Sequence, residues 1–279
     1  MVDVIGDILI DGKPAPPEQA AVSVRDIGFQ RGYGCFEALR CYRGAVFRLG
    51  AHLDRLAASA ATMGLPSIDV AAVAEWITDR AEQGGDCVVR VFVTGGVDPT
   101  DLGREACIVV LAESVPPPGA GLRIQPRSAP WHSCGEWSEL TGAKTLSYGP
   151  NLAASLAARR AGYDDALLIG RDGTVLEGPT FGIAWVRAEA LETPALDLGI
   201  LASITRQALI EVAKSHGLAV REGGFPLERV LTADEVLAMS TVKEVVPVTG
   251  VGTHEVAAGP VTLALAEAFR RLAERECVS

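Results

Sequence analysis

The stretch TGAKTLSYGPNL, residues 141–152, carries one lysine, Lys144, among small and apolar residues, with Tyr148 four positions on. Were the segment helical, that spacing would put both on one side of a turn. Lysine is rarely buried unless its amine pairs or reacts. A surface lysine at a strand end is the competing reading, and a second feature is needed to set it aside. Glu177, in DGTVLEGPT, follows 33 residues later at the end of an expected strand. A carboxylate beside a ring nitrogen keeps that nitrogen protonated, because an opposite charge favours the charged form. A lysine amine and such a carboxylate are the two groups that chemistry on an electron-withdrawing pyridine ring needs.

The ring with that chemistry is pyridoxal phosphate, so an anion site must accompany the pair. SITRQ, residues 203–207, offers a helix start where the N–H groups of Ile204 and Thr205 can meet a phosphate. MSTV, residues 239–242, puts the hydroxyls of Ser240 and Thr241 in a loop, and Arg55 in AHLDRL supplies a fork-shaped cation. Each alone reads equally well as a helix cap, a loop hydroxyl or a helix-surface arginine. Their occurrence together, in this order, is what points to a cofactor.

These residues need a scaffold, and the sequence supplies a mixed one. DILIDGKPAPP reads as strand, turn and strand about Asp11-Gly12, and CFEALRCYRGAVFRL as two strands about Arg43-Gly44. GAHLDRLAASAATMGL is a helix with Leu53, Leu56 and Met63 at helical spacing, followed by a second helix in DVAAVAEWITDRAEQ. DCVVRVFVTGG and EACIVVLAE are strands. SVPPPGAG, residues 114–121, cannot continue a helix or a central strand. It sets expected domains at 1–115 and 122–279, joined by a linker at 116–121. Beyond it, GLRIQP, DDALLIGRDGTVLEG and GIAWV read as strands. NLAASLAARRAGY and SITRQALIEVAKSHGL read as helices, EVLAMSTVKEVVPVTGV as β-rich, and GPVTLALAEAFRRLAERE as a terminal helix. The regular βαβ alternation of a doubly wound sheet is missing, so the class is α+β.

Composition narrows the function classes. With 48% hydrophobic and 22% charged residues, 279 residues suffice for a large core. A net charge of −10 argues against nucleic acid. CIVVLA, the longest strongly apolar run, is too short to span a bilayer, and the acidic N-terminus does not resemble a signal peptide, so a cytoplasmic protein is expected. The six cysteines (35, 41, 87, 107, 134 and 277) form no CxxC pair and are expected to be free thiols. The four histidines have no metal-site spacing.

In VSVRDIGFQRGYGCFEALRCY, AHLDRLAASA, KTLSY, TVLEG, ITRQALIEVA and EVLAMSTVKEVVPV the chain resembles the class IV, fold type IV pyridoxal-phosphate aminotransferases over nearly its whole length. That group joins branched-chain aminotransferases, D-amino-acid transaminases and aminodeoxychorismate lyases. The resemblance implies a small two-layer α/β domain and a larger pseudo-barrel α/β domain. It makes Lys144 the Schiff-base lysine and proton carrier, and Glu177 the partner of the ring nitrogen. By the same resemblance Arg55, Ile204, Thr205 and Thr241 hold the phosphate, with Ser240 beside them, and Tyr148 lies near the ring oxygen. One position departs: where the family often has asparagine after EG, this chain has Gly182, so either side-chain support for the cofactor edge is weaker there or Thr180 substitutes.

The resemblance also frames the substrate. A substrate carboxylate is gripped best by a bidentate, always charged arginine. The candidates are Arg31, in the loop FQRGYG that in the family reaches a neighbouring subunit's site, and Arg90, in VVRVFVTGG. An outward-facing strand residue is the competing reading of Arg90. Two arginines in this arrangement resemble a group of D-amino-acid transaminases acting on a D-amino acid and a 2-keto acid such as pyruvate or 2-oxoglutarate. The alternatives are an aminodeoxychorismate lyase and a branched-chain L-amino-acid or (R)-amine transaminase. A homodimer is implied, and Phe36, Phe29, Trp131 and Phe181 are candidate pocket linings or ordinary core aromatics.

Overall fold

Alternation along residues 34–42 puts Cys35, Glu37, Leu39 and Cys41 on one buried side, and Phe36, Ala38 and Arg40 on a half-buried one. That strand anchors the first of two units in a computed structural model that describes residues 2–117, 119–132 and 135–278. The first unit comprises residues 1–117, 142–148 and 273–279, and the second 118–141 and 149–272.

In chain order the first unit holds β1 (Val4–Ile10), β2 (Lys13–Ala15), α1 (Ile27–Arg31), β3 (Gly34–Tyr42), β4 (Ala45–Val46), α2 (Leu49–Thr62), α3 (Val70–Gly84), β5 (Cys87–Thr94) and β6 (Ile108–Ser114). The strands form one antiparallel sheet in the order β2-β1-β6-β5-β3-β4. Positive φ at Asp11 and Gly12 makes the β1–β2 turn, and Arg43 and Gly44 repeat the device between β3 and β4. One side of this sheet packs on the helices. Leu53, Leu56 and Ala60 of α2, Met63 just past its end, and Val73, Ile77 and Ala81 of α3 meet Val89, Val91 and Val93 of β5. Burial of the Leu, Ile, Val and Met side chains among them contributes on the order of 2 kcal/mol each.

The second unit holds β7 (Leu122–Ser128), α4 (Gly149–Arg160), β8 (Asp165–Ile169), β9 (Gly182–Arg187), β10 (Ala190–Pro194), α5 (Ile204–Ser215), β11 (Ala219–Gly223), α6 (Leu227–Leu231), β12 (Glu235–Ser240), β13 (Glu244–Val251), β14 (His254–Glu255) and α7 (Pro260–Val278) up to Leu272, the rest of α7 counting with the first unit. Its sheet runs β11-β10-β9-β12-β13-β7-β8, with β14 paired to β13. Parallel pairs β10–β11, β13–β7 and β7–β8 are mixed with antiparallel ones. Buried Trp185, Ile183, Val236, Ala238 and Val248 form its main core. Glu235 accepts from the N–H groups of Val261 (3.0 Å) and Thr262 (2.6 Å), which caps the start of α7.

Two sequence expectations change. Residues 142–148 belong to the first unit, not to a continuous 122–279 domain, because their backbone bonds to β3: Phe36 N–H donates to Lys144 O (3.0 Å) and Leu146 N–H to Gly34 O (2.8 Å). Arg31, expected in a loop, is the last residue of α1, which Gly32 closes at a φ of 65°. Cys35, Cys41, Cys87, Cys107 and Cys277 are free thiols, while Cys134 lies outside the described residues. Among the described residues no helix is long and apolar enough to cross a membrane.

Candidate active site

Lys144 lies in an extended segment laid against the start of β3, with Cys35 and Thr145 bridged antiparallel. The segment is not helical, so Tyr148 is placed by other means. Gly34 permits the close approach: a Cβ there would lie 2.4 Å from Val93 O and 2.7 Å from a Leu146 methyl. The Lys144 N–H donates to Ser59 Oγ of α2 at 3.1 Å, so the lysine's backbone is tied on both sides. Its side chain is half-buried. The amine stands 4.2 Å from the Phe36 ring centroid and 5.8 Å from that of Tyr148. Tyr148 meets Phe36 edge-on at 5.3 Å, and Phe92 stacks on Phe36 at 6.0 Å. The amine thus rests on an aromatic surface, which attracts it while protonated.

Arg55 is held by a group that the sequence reading did not single out. Its Nε donates to Glu37 Oε1 (2.6 Å) and its Nη2 to Oε2 (2.8 Å), and His52 Nδ1 stands 2.8 Å from the same Oε2. A carboxylate only accepts, so His52 presents Nδ1–H to it. Glu37 is 1% exposed. Burial alone would raise its pKa, but the hydrogen bonds and charges of Arg55 and His52 outweigh that and hold it at about 2. Burial pushes the His52 pKa below its ordinary value despite the neighbouring carboxylate, so the ring is neutral near pH 7. The signals were present: Glu37 interrupts the buried side of an alternating strand, and His52, Arg55 and Ser59 share one helical face at i, i+3 and i+7.

Of the two arginines proposed for substrate, Arg31 is exposed at the end of α1 beside Phe29, itself 72% exposed. Arg90 stands on the half-buried side of β5 with Phe92, opposite Ala38 and next along the sheet from the Phe36–Phe92 pair. Its Nε donates to Glu113 Oε2 of β6 at 2.5 Å, a partner that the sequence reading missed.

In the second unit, Leu168 N–H donates to Glu177 O (2.9 Å) and Leu176 N–H to Leu168 O (3.0 Å), which sets Glu177 against β8. Leu201 N–H reaches both Glu177 carboxylate oxygens at 3.3 Å, and His132 Nε2 lies 3.6 Å from Oε1. The Glu177 side chain keeps 18% exposure. Ser203 caps α5 by accepting from Arg206 N–H at 3.2 Å. The N–H groups of Ile204 and Thr205 precede the first intrahelical bond, so the helix itself gives them no acceptor. Ser240 ends β12, and its Oγ accepts from Lys243 N–H (3.1 Å), closing the turn that presents half-buried Thr241. Ser240 therefore shapes this loop, leaving Thr241 as the hydroxyl on offer. Burial lowers the pKa of Lys243, whose amine lies 5.9 Å from the Phe181 ring. Phe181 is a core residue, Trp131 is exposed, Thr180 is exposed, and Gly182 opens β9 against Met239.

Residues 34–251 match the family described as Amino-transferase class IV. A Methanocaldococcus jannaschii protein provisionally named a branched-chain-amino-acid aminotransferase is 32% identical over 94% of this chain and 95% of its own length. A D-alanine aminotransferase of Listeria monocytogenes is 30% identical over 97% of each chain. Among solved structures, a branched-chain aminotransferase of Thermoproteus uzoniensis with norvaline has a TM-score of 0.88 at 28% identity, covering 98% of this chain and 96% of that one.

Proposed function

The chain belongs to the class IV aminotransferases, and from that membership we propose that it transfers an amino group from a D-amino acid to a 2-keto acid such as pyruvate or 2-oxoglutarate. Class IV aminotransferases work with pyridoxal 5′-phosphate, and the residues present fit that group. An amine held over two aromatic rings suits its carbonyl, a part-exposed carboxylate suits its ring nitrogen, and a helix start, a hydroxyl and a guanidinium suit its phosphate. Bound at these residues, the cofactor supplies a carbonyl for the amino group and a ring that withdraws electrons from the substrate's α-carbon.

The roles of the chain's own residues follow. Lys144 Nζ carries the cofactor and then moves the proton at the substrate α-carbon, with the Phe36 and Tyr148 rings limiting where the amine swings. Glu177 keeps the ring nitrogen protonated, and the Leu201 N–H bonds hold its carboxylate in place. Ile204, Thr205 and Thr241 hold the phosphate with Arg55, and Ser240 sets the turn. Tyr148 would serve the ring oxygen.

One observation carries the choice of a carboxylate-bearing substrate. Arg90 lies on the same sheet side as Phe36, whose ring is 4.2 Å from the Lys144 amine. A carboxylate held by Arg90 is therefore presented on the lysine's side of the sheet. Arg31 joins it from a second copy of the chain. Supporting a homodimer, exposed Phe29 adjoins Arg31, and α4 leaves Leu152 and Leu156 exposed at i, i+4. The 30% identity to a D-alanine aminotransferase favours the same reading.

A branched-chain L-amino-acid reading has its own support, since the Methanocaldococcus relative is 32% identical and Glu113 already engages Arg90. Half-reaction rates with D-alanine, D-glutamate, L-leucine and an (R)-amine decide. D-amino acids react fastest on our reading, and Arg31→Ala or Arg90→Ala slows them about tenfold to a hundredfold while sparing the amine. L-leucine reacting fastest, with both variants unaffected, would replace it.

A further inference from the structure

We propose that Glu37 is a positioning residue that sets the orientation of Arg55 and, through it, the protein's preference for a phosphorylated cofactor. The proposal rests on the reading of Arg55 as a phosphate ligand and adds the group that makes it one.

A carboxylate that is 1% exposed among Cys35, Leu39 and the apolar face of α2 is an expensive choice, since replacing a buried ion pair by apolar side chains is often neutral or stabilising. The geometry gives it a use beyond its part in stability. Both Glu37 oxygens are engaged, by Arg55 Nε at 2.6 Å, by Arg55 Nη2 at 2.8 Å and by His52 Nδ1 at 2.8 Å. A fork held along its Nε–Nη2 edge is locked in its plane, and the Nη1 side is turned away from the carboxylate. His52 is the third point: bonded to Oε2, it stops the carboxylate from rotating and carrying the guanidinium with it.

The electrostatics agree with a directional role. His52 is neutral, so the ionised Glu37 cancels the charge of Arg55 within the trio. What Arg55 brings to an anion is aimed N–H groups rather than a net positive field. The same helix ties the Lys144 backbone through Ser59, one turn beyond Arg55. α2 thus registers the guanidinium and the lysine segment from one rigid face.

Pyridoxal 5′-phosphate and pyridoxal, which lacks only the phosphate, separate this role from a general one. After cofactor removal, both are titrated into wild type, Glu37→Gln, Glu37→Asp, Arg55→Lys and Glu37→Gln/Arg55→Lys, with binding read from absorbance. Gln keeps the shape and one acceptor; Asp keeps the charge and withdraws it by one methylene. Both single Glu37 variants are expected to lose about tenfold in affinity for pyridoxal phosphate and to bind pyridoxal as wild type does. In the double variant the Glu37 change adds little to Arg55→Lys, as for residues that act as a unit. Equal losses for both cofactors, wild-type affinity in Glu37→Gln, or rescue by Asp overturns the proposal. Wild-type phosphate preference in Arg55→Lys overturns the reading of Arg55 itself, and with it the proposal. If Glu37→Gln does not fold, Glu37→Asp and His52→Asn carry the same comparison, since His52→Asn frees the carboxylate without removing it.

Discussion

Arg90 of β5 donates from Nε to Glu113 Oε2 of β6 at 2.5 Å, so the arginine expected to grip a substrate carboxylate already holds one of its own chain. With side chains 30% and 21% exposed, the pair contributes about 0–1 kcal/mol to stability. Its effect falls on recognition. The carboxylate fixes the guanidinium from the Nε side and also places a negative charge near any anion that binds there. Glu113→Gln keeps an acceptor and removes the charge. It is expected to lower KM severalfold for D-alanine and more for D-glutamate, with the melting temperature and the KM for a primary amine unchanged. A rise in KM for both amino acids would show that the charge of Glu113 is needed to aim Arg90.

Lys144→Ala removes the amine and leaves the backbone ties to Phe36, Gly34 and Ser59, because those use main-chain atoms of the segment. The variant is expected to fold, to lose the visible absorption band of lysine-bound cofactor, and to lose about a thousandfold or more in turnover. Lys243→Ala serves as its control. That amine is near Phe181 in the second unit, and its removal leaves the band in place. Loss of the band in Lys243→Ala alone would mean that the reacting lysine had been misassigned.

Glu177→Gln tests the partner of the ring nitrogen. A glutamine oxygen can still accept from Leu201 N–H, so folding is expected to be unaffected. Without the negative charge the ring nitrogen is less readily protonated. Turnover falls about tenfold to a hundredfold while cofactor remains bound. His132, 3.6 Å from Glu177, gives a second arm: an unchanged rate in Glu177→Gln together with a large loss in His132→Ala would transfer the role to the histidine.

How far these groups were legible in the sequence depends on how local their signals are. Lys144, Glu177 and the Ser203–Thr205 helix start announce themselves through composition, a turn or a cap within a few residues. So do the hairpin turns at Asp11-Gly12 and Arg43-Gly44. What escaped is non-local. The pairing of 142–148 with β3 joins residues about a hundred positions apart through main-chain bonds, which any sequence can make. β10 and β11 carry polar residues at paired positions, Glu192 with Arg221 and Thr193 with Glu222, so neither has the apolar alternation of a strand. Arg31 read as loop because α1 is only five residues long, too short for a period to show. Glu113 could not be matched to Arg90 without the register of β5 on β6.

The Glu37–His52–Arg55 trio also predicts how the protein responds to acid. The folded-state pKa of Glu37 is lowered from 4.5 to about 2, so between those values the unfolded chain binds the extra proton. Its contribution, roughly 3 kcal/mol, is therefore present above pH 4.5 and is lost as pH falls toward 2. His52 has the same sign from the opposite charge type. Burial holds its folded pKa below 6.5, so the unfolded chain takes up its proton first, and stability falls as pH drops from 6.5. Urea midpoints measured across this range should fall in two stages for wild type. His52→Gln should flatten the stage beginning near pH 6.5, and Glu37→Gln the stage below 4.5, each at the expense of a lower midpoint at neutral pH. A wild-type pH profile retained in both variants would show that other groups carry the acid sensitivity and that the trio's hydrogen bonds are weaker than their lengths imply.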